Sequence, residues 1–93
     1  MKFEWDEEKN LSNQKKHHIS FETAVFVFSD ENHIELYDYE NSTLEEDRYI
    51  AIGLVGDVLY VVFTERKDAT RIISARKATP QERRDYYDEA SIY

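Results

Sequence analysis

Three features of the order predict an α+β domain with two N-terminal helices, an antiparallel sheet of three to four strands and a C-terminal helix. Phe21, Ala24, Val25 and Phe28 recur at helical spacing. From His33 to Lys77 the apolar residues change to a period of two. Thr79-Pro80-Gln81-Glu82 then has the form of a helix start, with a capping threonine, proline at the first helical position and glutamate three residues after the cap. The chain of 93 residues makes one domain spanning 1–93 with one modest core.

Taken in order, Phe3 and Trp5 bracket Glu4 in a short alternating segment, read as an edge strand. Asp6 caps a polar helix that runs to about His17, with Glu7 and Glu8 at its positive end and Lys15 and Lys16 at its negative end. Ser20 caps the second helix, which Ser29-Asp30-Glu31-Asn32 ends. His33–Asp38 alternates as a half-buried strand, and Tyr39–Glu46 reads as a loop. Asp47–Val55 is the next strand, with Arg48, Ile50, Ile52 and Leu54 on one face. Gly56-Asp57 forms a two-residue turn into Val58–Glu65, the most apolar strand and the expected sheet centre. Arg66–Ala69 turns into Thr70–Lys77, and the last helix runs from Pro80 towards Ala90 with Tyr86, Ala90 and Tyr93 on one stripe. All helices are expected on one face of this meander, leaving the other open to a ligand.

Composition narrows the function. Apolar content of 41% and aromatic content of 14% belong to a folded chain. There is no cysteine, no long apolar run and no signal-peptide pattern, so a cytoplasmic protein without disulfides is expected, with no membrane partner. A net charge of −8 opposes broad charge-driven binding to nucleic acid. The distribution is uneven, however: residues 65–84 hold seven basic side chains against three acidic ones. A local anion site is therefore expected within an acidic protein.

His17, His18 and His33 lack a recognised metal-ligand spacing, and there is no glycine-rich phosphate loop, so neither metal nor cofactor is expected. What remains is a set of cations with a histidine: Lys16 and His17 at a helix end, Arg48 on one strand, Arg71 and Arg76 on another. Cleavage of RNA by its own 2′-hydroxyl needs a proton acceptor, a proton donor and positive charge at the phosphate. Histidine suits the proton transfers and arginine the bidentate clamp. The alternative is that these arginines pair with the protein's own acids. Regular alternation puts Arg71 and Arg76 on opposite faces, so only a bulge lets both line one pocket.

Several stretches taken together resemble the BrnT toxins. They are Trp5-Asp6-Glu7-Glu8-Lys9, the run from Asn13-Gln14-Lys15-Lys16-His17-His18 through Ile19-Ser20-Phe21-Glu22-Thr23-Ala24, Arg48 followed by Ile52-Gly53, and Arg71-Ile72-Ile73-Ser74-Ala75-Arg76-Lys77-Ala78. The resemblance implies a bacterial type II toxin of RelE-like fold, an RNA endonuclease that inhibits translation. It also implies an antitoxin partner, BrnA, through which alone the complex meets operator DNA. Carried over by position, the catalytic residues are Lys16, His17, Arg48, Arg71 and Arg76, with Glu82 and Tyr86 as substrate-binding residues of the last helix. The chain departs from the family at His18, where glycine is usual. Its acidity supports a second expectation, a non-catalytic domain that binds an antitoxin-like partner through the open sheet face.

Overall fold

The computed structural model describes residues 1–90, so Tyr93 of the expected last-helix stripe lies outside the described residues. Its elements are β1 (Phe3–Glu4), α1 (Glu7–His17), α2 (Phe21–Ala24), a 3-10 helix (Val25–Ser29), β2 (Ile34–Tyr37), β3 (Tyr49–Val55), β4 (Asp57–Arg66), β5 (Ala69–Lys77) and α3 (Pro80–Ala90). The sheet has five strands rather than three to four, in the order β1-β5-β4-β3-β2. Strands β2 to β5 form the expected antiparallel meander; β1 adds a parallel edge by pairing Phe3 with Thr70 and Glu4 with Arg71. No helix among the described residues is long and apolar enough to cross a membrane.

The expected second helix is one α turn followed by 3-10 winding. Three residues per turn bring every third side chain to one side. Phe21, Ala24 and Val27 are consequently all fully buried, while Phe26 is 60% exposed. The 3-10 segment presses close to β3 at Gly53: a Cβ there would lie 2.8 Å from Val27 Cγ1 and 3.0 Å from His33 Cβ. Between β3 and β4 the turn is tighter than expected. Gly56 alone reverses the chain at φ 71°, and Asp57 already pairs with Val55.

Helices lie on both faces of the sheet, not on one. Phe21, Ala24 and Val27 pack on Ala51, Val61, Phe63, Ile72 and Ala75 of one face. On the other, Tyr86 of α3 joins Ile50, Ile52, Val58 and Ala78, with Ile34 and Tyr60 partly buried beside them. Alternation along β3 and β4 supplies both sets. The sheet is apolar on each side, and one helical layer would leave the second set in water.

Helix α1 has almost no apolar face, and buried asparagines attach it instead. Asn13 Nδ2 donates to Ala75 O (2.8 Å) and Ile19 O (2.9 Å), while Asn13 Oδ1 accepts from Ala75 N (3.2 Å). Because β1 is so short, the outer edge of β5 has no strand beside it at that level, and Asn13 takes the place of a neighbouring strand. Asn10 is fully buried; its Oδ1 accepts from Phe21 N (2.8 Å) and its Nδ2 donates to Glu22 (2.8 Å) and Glu7 (3.1 Å).

At the end of α1, His18 adopts the left-handed conformation (φ 61°, ψ 28°) and its N–H bonds Gln14 O. A Cβ costs about 1 kcal/mol in that region. His18→Gly should therefore raise stability by about 1 kcal/mol, read as a melting temperature about 4–8 °C higher. An unchanged or lower melting point would mean that the imidazole supplies compensating contacts.

Candidate functional site

The strand β5 runs Arg-Ile-Ile-Ser-Ala-Arg from Arg71 to Arg76, and either unbroken alternation would send one arginine into the core beneath α2. A bulge resolves this. Phe63 pairs with Ile72, but Val62 pairs with Ser74, so Ile73 is the extra residue. Ile72 and Ala75 both enter the core, at 1% and 0% exposure, and Arg71 and Arg76 both fall on the α3 face. Keeping an unpaired guanidinium out of the interior is the physical reason. The bulge also shifts register, placing Tyr60 rather than Leu59 opposite Arg76.

Two cross-strand rows result on this face. One holds Glu4, Arg71 and Thr64, with Arg48 extending it just before β3. The other holds Arg76, Tyr60, Ile52 and Ile34. With Ser74 and Val62 between them, the rows stand about 13 Å apart at ordinary strand rise. Arg71 and Arg76 thus share a face without meeting.

Arg76 is the best-organised cation. Its Nη1 and Nη2 donate to Glu82 Oε1 (2.8 Å) and Oε2 (3.0 Å), Nη1 also donates to Lys77 O (3.1 Å), and its guanidinium carbon sits 3.8 Å from the centre of the Tyr60 ring. Glu82 has a second task. Its Oε1 accepts from Thr79 N (2.9 Å) while its own N–H donates to Thr79 Oγ1 (3.2 Å), completing the capping box that starts α3. Partial burial opposes the Glu82 charge, but the bonds from Arg76 and Thr79 hold its carboxyl below the ordinary range. The Glu82 bonds in turn raise Arg76, although burial works against it. Tyr60 is raised by burial, with Arg76 acting the other way. A groove of about 500 Å3 opens over this group, lined by Ile50, Tyr60, Arg76, Glu82 and the Tyr37–Glu40 segment.

The remaining expected residues lie around it. Arg71 donates to Glu4 (2.7 Å) and Arg48 to Glu46 (2.9 Å). The Arg48 bond comes first among the causes holding Glu46 below its ordinary range. Each expected arginine thus already has a carboxylate. Lys16 and His17 form no ion pair among the described residues. Asn13, which bonds Ala75 next to Arg76, precedes them by three and four positions, the spacing of one helical side. Tyr86 is 3% exposed and lines the second core rather than the groove. It anchors α3 one turn beyond Glu82.

The Tyr86 hydroxyl donates to Asp30 Oδ2 (2.5 Å), which also accepts from Leu54 N (2.8 Å). Burial and this bond push Tyr86 up to about 12. Burial opposes the Asp30 charge, yet Tyr86 and two backbone N–H groups keep its carboxyl below the usual range. Nearby, His33 places Nδ1 2.8 Å from Asp30 O and Nε2 2.8 Å from Glu35 Oε2, two acceptors that suit the imidazolium. Burial lowers its pKa, but these partners win and raise it. A raised histidine stabilises the fold fully below its unfolded value of about 6.5, and that share is lost as pH rises through the higher folded value. The melting temperature should fall as pH rises above about 6.5, and His33→Gln should flatten that slope. An equal slope in both proteins would assign the effect elsewhere.

Tyr60 and Asn13 were not singled out from sequence. Tyr60 opposes Arg76 only because of the bulge, and Asn13 reads as one more polar residue of a polar helix. The signal that could have found Tyr60 is alternation along β4, which puts it on the side of Val58 and Val62.

Fold and face together define a small α+β domain with an arginine fork, backed by an aromatic ring, above a sheet groove. The family model for "Ribonuclease toxin, BrnT, of type II toxin-antitoxin system" matches residues 5–82. The chain belongs to the BrnT family of ribonuclease toxins. It is similar in structure to the Brucella abortus ribonuclease toxin BrnT, with a TM-score of 0.62 and 27% identity over 85% of this chain and 97% of that one. No curated protein matches the chain.

Proposed function

We propose that this toxin cleaves RNA endonucleolytically without a metal ion, on the sheet face that carries Arg76, and that a BrnA-type antitoxin silences it. The arginine fork supports this reading most directly. It holds two carboxylate oxygens side by side, an arrangement that equally suits two oxygens of a phosphate. Arg76 would clamp the scissile phosphate in place of Glu82, and Glu82, still tied to Thr79, would remain beside the substrate. His17, with Lys16, would serve the proton transfers from the end of α1. Arg71 and Arg48, about 13 Å away at strand rise, would hold a neighbouring phosphate rather than the same one. Tyr86 would act through the position of α3 and not by touching RNA. Loss of RNA would then stop translation in the cytoplasm, and the fold would be of the RelE-like kind that the resemblance implies.

Induced expression with and without the adjacent gene product tests the biology, following growth and RNA integrity. With purified protein, cleavage should persist in EDTA and leave 2′,3′-cyclic phosphate or 3′-phosphate ends. Complete dependence on a divalent ion would remove the mechanism. One observation favours a non-catalytic binding domain instead: Arg48, Arg71 and Arg76 are each matched by an internal acid. Neutral expression combined with tight partner binding would establish that reading.

A further inference from the structure

A second groove, of about 420 Å3, lies between β2 and α3 and is lined by Ile34, Glu35, Leu36, Asp85 and Glu89. Its base is apolar. Ile34 and Leu36 are two apart on β2 and share one face, where Leu36 is 49% exposed. Strand β2 ends the sheet, so its outer backbone edge is also unpaired.

The walls are acidic. Asp85 and Glu89 stand four apart on α3, where like charges repel. Neither forms an ion pair among the described residues, and Glu35 has only His33. A cation placed over this rim would relieve the repulsion, and an apolar side chain beneath it would cover Leu36.

Resting on the toxin–antitoxin reading, we infer that this groove receives a basic, amphipathic segment of the antitoxin. Such a segment would set apolar residues against Ile34 and Leu36 and lysines or arginines against Asp85 and Glu89. Charge decides between occupants. RNA would bring phosphates against carboxylates. A second copy of this chain, with a net charge of −8, would set acidic rim against acidic rim in a two-fold contact. The basic stretch at 65–84 is a weaker seat for the same partner. Arg66, Arg71, Arg76 and Lys77 there are already paired with Glu46, Glu4, Glu82 and Asp57.

The test measures the affinity of the purified chain for the protein encoded beside it. The double variant Asp85→Lys/Glu89→Lys and the single variant Leu36→Asp are compared with the parent. Each should weaken binding by at least about tenfold, with the melting temperature and RNA cleavage unchanged. The charge-reversal effect should shrink between about 0.1 M and 1 M salt, as screening shortens. Hydrogen exchange on complex formation should slow at residues 34–36 and 85–89. Parental affinity in both variants, with protection only at 65–84, would overturn the groove and leave the antitoxin reading standing. Failure of the parent chain to bind its neighbour's product would overturn both. Self-association abolished by the variants would assign the groove to a second copy and overturn the proposal.

Discussion

Replacing Arg76 with alanine should lower RNA cleavage by about 10²–10³, the usual consequence of removing one well-placed donor to a developing charge. Folding should survive. The pair lies at the surface, with Arg76 34% and Glu82 22% exposed, so solvent screens much of its charge. Glu82 also keeps its bonds with Thr79, and α3 keeps its cap. A stability loss of about 1 kcal/mol is expected, or a melting point about 4–8 °C lower. Arg76→Lys should restore little activity, since an ammonium lacks the planar fork and stacks less well on Tyr60. Glu82→Gln keeps a capping side chain while weakening the internal competitor, and RNA binding should tighten. Cleavage by Arg76→Ala at the parental rate would end the clamp assignment. So would its unfolding, which would make the Arg76–Glu82 pair a structural bond.

The largest effect on stability should come from a residue with no charge. Asn13→Ala removes the partner of Ala75 N, Ala75 O and Ile19 O at a site where the side chain is 7% exposed. An orphaned buried backbone group costs about 1–3 kcal/mol. Three such groups, relieved in part by local relaxation, put the expected loss at about 3–5 kcal/mol. That is a large share of the 5–15 kcal/mol typical of a domain, and unfolding in urea would read it directly. Lys15→Ala, on the exposed side of the same helix, should change stability by no more than about 0.5 kcal/mol. Asn13→Ala also loosens the attachment of the helix that carries Lys16 and His17. Activity should therefore fall at temperatures where the variant is still folded. An Asn13→Ala protein as stable as its parent would mean that α1 is held by packing alone.

Much of the fold was legible because local signals agreed with one another. Asp6, Ser20 and Thr79 were readable as caps, and each makes its bond to a backbone N–H of its helix. The alternation of β2 to β5 specified a meander, since sheets apolar on alternate positions pair in no simpler way. Two errors came from local information running out. The 3-10 winding after Ala24 goes with close packing against Gly53, a contact between residues distant in the chain that no local signal reports. Helices on both faces follow from β3 and β4 being apolar on alternate residues of both sides; a strand can be read as apolar without revealing how many layers will cover it.

By itself the sequence determined the class of fold, the helix starts and the residue types proposed for the site: an arginine-rich strand, a glutamate three residues after a cap, and a lysine–histidine pair at a helix end. Only the tertiary structure decided which of these share a face. No glycine or other local marker announces the bulge at Ile73. It exists because both regular registers would carry an arginine into the core opposite α2, at a desolvation cost that one displaced residue avoids. That displacement turned Tyr60 under Arg76 and brought Arg71 to the same side as Arg76, outcomes set by the energy of the whole packed core rather than by any stretch of the chain.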